Sequence, residues 1–219
     1  MADKIRLREG PPAVSAWLAQ PESTPRGGVV VVQEIFGVNQ HIRRVVDDYA
    51  ASGYTAIAPA MFDLVRADVE LDYDPEGVQA GIDLVSKISF DAALELVEAA
   101  AARIADAGKV GVVGFCWGGT VAYLSAIRLG LPAVSYYGGG NARFTEEPAS
   151  VPLMFHYGER DQHISATDRD RVRKANPGAE FHVYPAGHGF NCDARGSYDE
   201  VSAALARKRT LAFFARHLG

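Results

Sequence analysis

The sequence predicts an α/β fold: a mostly parallel central sheet covered by helices on both faces. Three observations carry this. Short apolar runs rich in valine alternate with segments of helical periodicity along most of the chain, as strands buried on both faces and their crossover helices do. Glycine and proline mark nearly every junction between them. The 219 residues, 48% hydrophobic and 22% charged, suit one domain spanning residues 1–219 with a sizeable core.

The elements follow in order. Residues 4–18 are expected to add one or two antiparallel edge strands. Gly28 to Gln33 is the first buried strand. Asn39 to Ser52 reads as a helix, with Val45, Val46 and Tyr49 at helical spacing and Gly53 just beyond. Tyr54 to Ala58 is a strand ended by Pro59. Residues 61–88 break the rhythm. Their charges and the Asp72 to Gly77 stretch predict a surface excursion, either a lid or substrate wall or a plain solvated loop. Phe90 to Asp106 is an alanine-rich helix stopped by Gly108, and Val110 to Val113 a strand followed by a helix from Thr120 to Arg128. Ala133 to Tyr137 is a strand running into three glycines. Leu153 to Tyr157 and Phe181 to Tyr184 are strands with a helix, Ala166 to Ala175, between them. Tyr198 to His217 is a long terminal helix. No repeat, low-complexity tract or linker calls for a second domain.

Composition narrows the function. A net charge of −5 argues weakly against a nucleic-acid partner. No apolar run is long enough for a membrane span, and the first residues lack the apolar core of a signal peptide. Two cysteines, Cys116 and Cys192, make no disulfide framework, so a cytoplasmic setting is expected. The scattered histidines show no metal-ligand spacing, and no phosphate-loop signature is present. No cofactor is expected, and the chain is expected as a monomer or small homo-oligomer.

The most informative stretch is Gly114-Phe115-Cys116-Trp117-Gly118-Gly119. It joins a strand to a helix with one reactive side chain at the apex, the G-x-nucleophile-x-G elbow of α/β-hydrolases with cysteine for serine. Glycines are needed there because the strained turn brings neighbouring backbone close. A helix N-terminus beside the thiol favours a thiolate. A buried cysteine in a glycine-rich turn is the competing reading. A thiol nucleophile needs a base, and the base an orienting group. In this fold they follow in the order nucleophile, acid, histidine, each after a strand. Asp161 and His188 supply that order. Glu159 and Asp168 are lesser candidates, since Asp168 falls in the first turn of the next helix. His156 and His182 lie within strands, His163 could line the pocket as a lesser alternative, and His41 and His217 read as surface groups.

Together with Gln33-Glu34-Ile35-Phe36-Gly37, the turn from Gly158 to Asp161 and Gly187-His188-Gly189-Phe190, the elbow resembles the dienelactone hydrolase (carboxymethylenebutenolidase) family from about Val29 onward. The resemblance implies an α/β-hydrolase fold without a large cap and hydrolysis of enol-lactones or related esters. Cys116 is then the nucleophile, His188 the base and later the acid, and Asp161 the orienting carboxylate. It also implies that Glu34 restrains the resting thiol until substrate shifts it, since a carboxylate beside a thiol disfavours the thiolate. On its own residues, Glu34 is equally a helix cap or an arginine partner. The oxyanion hole is expected from the backbone amides of Trp117 and Ile35. Phe36, Tyr137 and Phe190 flank these loops and are expected to line an apolar pocket, with core packing equally open.

One position departs from the family pattern. The arginine expected four residues beyond the histidine is Cys192 here, and Arg195 is the nearest substitute. Arg66 is the only arginine between Arg44 and Arg103, so a two-arginine carboxylate fork is not evident. The expected substrate is therefore an activated lactone or small ester, with dienelactone one candidate among several. A thiol nucleophile favours such substrates because an enolate leaves readily. The alternatives are a broad-specificity carboxylesterase with a cysteine nucleophile, a non-catalytic binding protein on a hydrolase scaffold, and, last, a thiol redox protein.

Overall fold

The computed structural model describes residues 2–219. The chain forms two compact units, one running up to Gly111 and taking in Leu218 and Gly219, the other Val112–His217. Eight mostly parallel strands with helices between them give the α/β-hydrolase fold that the sequence predicts.

In the first unit the strands are β1 (Ala2–Arg8), β2 (Val14–Ala19), β3 (Gly28–Val32) and β4 (Thr55–Pro59), in the order β1-β2-β4-β3. β1 and β2 are antiparallel, as are β2 and β4, while β3 and β4 are parallel. Every residue of β3 and β4 is buried, which is why their sequences are continuous apolar runs rather than alternating ones. Helix α1 (Gln40–Ala51) starts at Asn39, whose side chain accepts the Ile42 N–H, and buries Ile42, Val45, Val46 and Tyr49. His41 is buried too, contrary to its expected surface position: it falls on the apolar side of α1.

The segment 61–88 is more ordered than the sequence suggested. It holds a short 3₁₀ turn, Met61–Leu64, and a helix, α2 (Pro75–Val85). The Asp74 carboxylate caps the Gly77 N–H at 2.7 Å, and Pro75 occupies the first turn. Asp-Pro here is a helix start, inside a segment whose charges predict a surface excursion. A Cβ at Gly81 would overlap the Ile35 carbonyl, so α2 packs backbone-close on the loop after β3. Helix α3 (Phe90–Arg103), capped by Ser89, follows.

The second unit takes the last residues of β5 (Val110–Phe115), then β6 (Ala133–Tyr136), β7 (Leu153–Gly158) and β8 (Glu180–Tyr184), in the order β5-β6-β7-β8 and all parallel. Phe115 pairs with Tyr136 and Tyr136 with His156, so β5 and β6 end level and Cys116 and Tyr137 leave the sheet side by side. Helix α4 (Trp117–Leu124) begins directly after Cys116, three residues earlier than expected. It runs into a π-turn, Ser125–Leu129, and closes at Gly130 with φ 66°. Helix α5 (Ala166–Ala175) has the predicted bounds, and Ser165 caps it through the Asp168 N–H. Helix α6 (Glu200–His217) is fastened to three strands by a buried polar chain. Arg209 donates to the Tyr184 hydroxyl at 3.1 Å, which is left to donate to His156 Nδ1 at 2.8 Å. His156 Nε2 then donates to Thr210 Oγ1 at 3.0 Å, and Thr210 bonds Tyr136 at 2.7 Å. Burial, then the nearby His182 and Arg209, hold His156 well below the usual histidine range, so it is neutral.

Candidate active site

Cys116 has φ 56° and ψ −118°, a conformation costly for a residue with a Cβ. The surroundings enforce it. Its N–H donates to the Tyr136 carbonyl at 3.0 Å, and its carbonyl accepts the Gly119 N–H at 3.0 Å. A Cβ at Gly114 would overlap the Gly118 carbonyl, and one at Gly119 would lie 2.5 Å from the Tyr136 oxygen. The glycines of the elbow are therefore required by close approach, as the sequence predicts.

Asp161 and His188 stand on the loops after β7 and β8. Those loops continue the strand ladder: Glu159 N–H donates to the Tyr184 carbonyl at 2.7 Å and Arg160 N–H to Ala186 at 3.0 Å. Asp161 Oδ1 accepts the His163 N–H at 2.8 Å, an Asx-type turn that fixes the carboxylate. Its Oδ2 bonds His188 Nδ1 at 2.8 Å, and His188 Nε2 lies 3.2 Å from Cys116 Sγ. The Asp161 side chain has no exposure and that of His188 only 10%. The three residues picked from chain order thus form one hydrogen-bonded relay within the second unit.

The electrostatics follow from this packing. Burial alone would lower the proton affinity of His188, but the bonds to Asp161 and Cys116 and their charges outweigh it and raise the pKa to about 10. Burial would raise the pKa of Asp161; the His188 bond, with the His163 N–H and both imidazoles nearby, holds it below the ordinary carboxylate range. With Asp161 ionised and bound to Nδ1–H, Nε2 faces the thiol at 3.2 Å, and its raised proton affinity suits it to take and hold the thiol proton.

The remaining expected site residues sort by position. Trp117 is the first residue of α4, ahead of the helix's own hydrogen-bond ladder. Tyr137 and Phe190 are both fully buried. Tyr137 stands 5.1 Å from the His188 ring and 5.4 Å from Phe190, which in turn packs on Tyr184 at 5.1 Å. They back the imidazole and its loop. Arg195 is half-buried, and its guanidinium rests against Gly189, next to His188. Gly189 has φ 75°. Glu34, Ile35 and Phe36 belong to the first unit, after β3; Glu34 is buried, and Phe36 packs 4.3 Å from Tyr73. Cys192 is buried, in keeping with a small core residue. His163, a lesser candidate from the sequence, is exposed, and its ring lies edge-on to His188 at 5.0 Å. Its signal was a place two residues after the acid, in the turn.

Comparison with known proteins identifies the family. The model of the dienelactone hydrolase family matches residues 14–218. A carboxymethylenebutenolidase of Pseudomonas putida is 33% identical over 213 residues, covering 91% of this chain and 90% of that protein. A crystal structure from Klebsiella pneumoniae, provisionally described as a dienelactone hydrolase, is 31% identical with a TM-score of 0.83 and covers 99% of this chain and 98% of that one. A dienelactone hydrolase-like promiscuous phosphotriesterase from metagenomic libraries shares the fold at 22% identity and a TM-score of 0.78, covering 100% and 99%.

Proposed function

Since the chain belongs to the dienelactone hydrolase family, whose members act on ester or lactone bonds, we propose that it hydrolyses an activated lactone or small ester through a thioester on Cys116. The observation that supports this most directly is the relay of Asp161, His188 and Cys116 at 2.8 and 3.2 Å. His188 takes the thiol proton, and the thiolate attacks the carbonyl carbon. The Trp117 amide receives the oxyanion, a donor of a kind worth about 3 kcal/mol in acyl-transfer sites. His188 then gives its proton to the leaving oxygen, and the C–O bond breaks. Water, deprotonated by His188, attacks the thioester; the C–S bond breaks and Cys116 is released with the carboxylic acid.

Burial shields the Asp161–His188 bond while the half-buried Cys116 stays reachable, and the carboxylate of Asp161 stabilises the imidazolium formed in each half-reaction. On the family pattern alone, Glu34 is assigned to restraint of the resting thiol and the Ile35 amide to the second oxyanion donor. Arg195, beside the His188 loop, is the candidate anchor for a substrate carboxylate in place of the arginine that position 192 lacks.

Mass spectrometry during turnover of an enol-lactone and of a nitrophenyl ester tests the reading. An acyl adduct on Cys116, absent in Cys116→Ala together with turnover, is expected. Turnover persisting in Cys116→Ala, with no adduct on the wild type, overturns it. Relative rates on the two substrates separate a lactone hydrolase from a broad carboxylesterase.

A further inference from the structure

We propose that His163 is a specificity residue that touches the leaving side of the substrate, favouring esters and lactones whose leaving group carries an oxygen acceptor such as a carboxylate. The inference deepens the reading of Cys116, His188 and Asp161 given above and rests on it.

His163 is tied to the relay at two points. Its N–H holds Asp161 Oδ1 at 2.8 Å, and its ring stands edge-on to the His188 ring, centroids 5.0 Å apart and planes at 77°. The backbone bond fixes where the ring begins, and the buried Ile164 that follows fixes where the chain goes next. The ring of His163 is therefore held beside His188 while remaining exposed.

Access then decides what the substrate meets. Two aromatic rings stand at nearly equal distance from His188, Tyr137 at 5.1 Å and His163 at 5.0 Å. Tyr137 has no exposure, whereas His163 is open to solvent. A reacting carbonyl must come within about 3.5 Å of Sγ, and its leaving oxygen must reach His188 Nε2 to be protonated. Atoms two or three bonds beyond that oxygen fall in the shell about one ring-width outside His188. The exposed His163 imidazole, centred 5.0 Å from the His188 ring, stands within reach of that shell. It offers an N–H donor when neutral and two when protonated, and no other role in the relay uses them. A leaving group bearing an oxygen acceptor gains a bond there that a plain hydrocarbon leaving group lacks.

The test compares phenyl acetate with 3-carboxyphenyl acetate, which share an acyl group and have leaving phenols of closely similar acidity. His163→Phe keeps a flat ring without a donor, and His163→Gln restores an N–H donor; both keep the backbone N–H that holds Asp161. In His163→Phe the loss of kcat/KM is expected to be about tenfold larger on the carboxylate ester than on the neutral one, the scale of one hydrogen bond to a charged group, and to be carried mainly by KM. His163→Gln is expected to recover most of that difference. Equal losses on both esters, or no loss on either, overturn the proposal, since a purely structural role acting through Asp161 would slow both alike. The acyl adduct on Cys116 is followed in the same samples with phenyl acetate. Its absence from the wild type would sink the thioester reading, whereas its presence with an unchanged ester ratio would sink only the role of His163.

Discussion

Gly158→Ala tests whether the acid and the base are held in one piece. Gly158 ends β7, and a Cβ there would lie 2.5 Å from the Ala186 carbonyl oxygen and 2.8 Å from that of Gly187. Real Cβ atoms essentially never come closer than 3.0 Å to a neighbour, so the two chains must part by at least 0.5 Å, and both obstructing atoms are backbone. The obstructed residues lie directly before His188, while Gly158 is three residues before Asp161. Overpacking against rigid neighbours costs about 1–3 kcal/mol, so unfolding stability is expected to fall by about 2 kcal/mol. A 1 Å misplacement of reacting groups can cost about 10²-fold, so half that displacement predicts about a tenfold fall in kcat/KM. The assay is ester turnover beside urea unfolding, with Gly139→Ala as control, since the nearest atom to a Cβ there is Ile164 Cγ1 at 4.0 Å. Wild-type stability and kinetics in Gly158→Ala would refute the claim that the loops after β7 and β8 are locked by close backbone contact.

Other outcomes follow from the same structure. His188 keeps its proton to about pH 10, so kcat/KM should decline on the basic side only near there; Asp161→Asn removes a bond and a charge that hold the proton, leaves burial opposing it, and should move that decline toward neutrality. By linkage, the relay's contribution to stability is fully present below the unfolded histidine value of about 6.5 and is lost as pH rises through about 10, which urea titrations across that range can read. His156 works in the opposite sense: buried neutral, with a depressed pKa, it contributes stability above about pH 6.5 that is lost as pH falls below it, and His156→Gln should flatten the dependence of unfolding free energy between pH 8 and 5. Gly189→Ala should cost about 1–2 kcal/mol for its left-handed φ and displace the Arg195 guanidinium; a larger loss of kcat/KM on a carboxylate-bearing ester than on a neutral one would mark Arg195 as an anchor.

The sheet was legible because its information is local. The Val29 to Val32 run can bury both faces only as an interior strand, and Gly53, Gly108 and Gly130 each follow a helical pattern at its stop. The relay was legible because chain order fixes which loop each member occupies once strands and helices alternate. What escaped depends on three-dimensional neighbours or on competing signals. Asp74-Pro75 carried a cap and a helix start, but the surrounding charges read as solvent-facing. His41 looked polar, yet it shares the face of α1 that is covered. The chain from Arg209 through Tyr184 and His156 to Thr210 and Tyr136 joins residues far apart in sequence, and only the strand register and the packing of α6 bring them together. Arg195 needed the left-handed turn at Gly189 before its reach could be judged.

The elbow's backbone carries a further implication. Cys116 and Tyr137 are two of only three non-glycine residues with positive φ among those described, and they leave adjacent strands joined by the Cys116 N–H to Tyr136 bond. Strain of this kind costs about 1–3 kcal/mol at each residue, a sizeable part of a typical fold's net stability of about 5–15 kcal/mol. Two of the three strained residues therefore sit at and beside the proposed nucleophile. A search for hardier variants that scored survival alone would drift toward glycine at 116 and select inert proteins. Thermostable forms that still turn over substrate should instead carry their gains in the first unit and along α6, leaving the ends of β5 and β6 as they are.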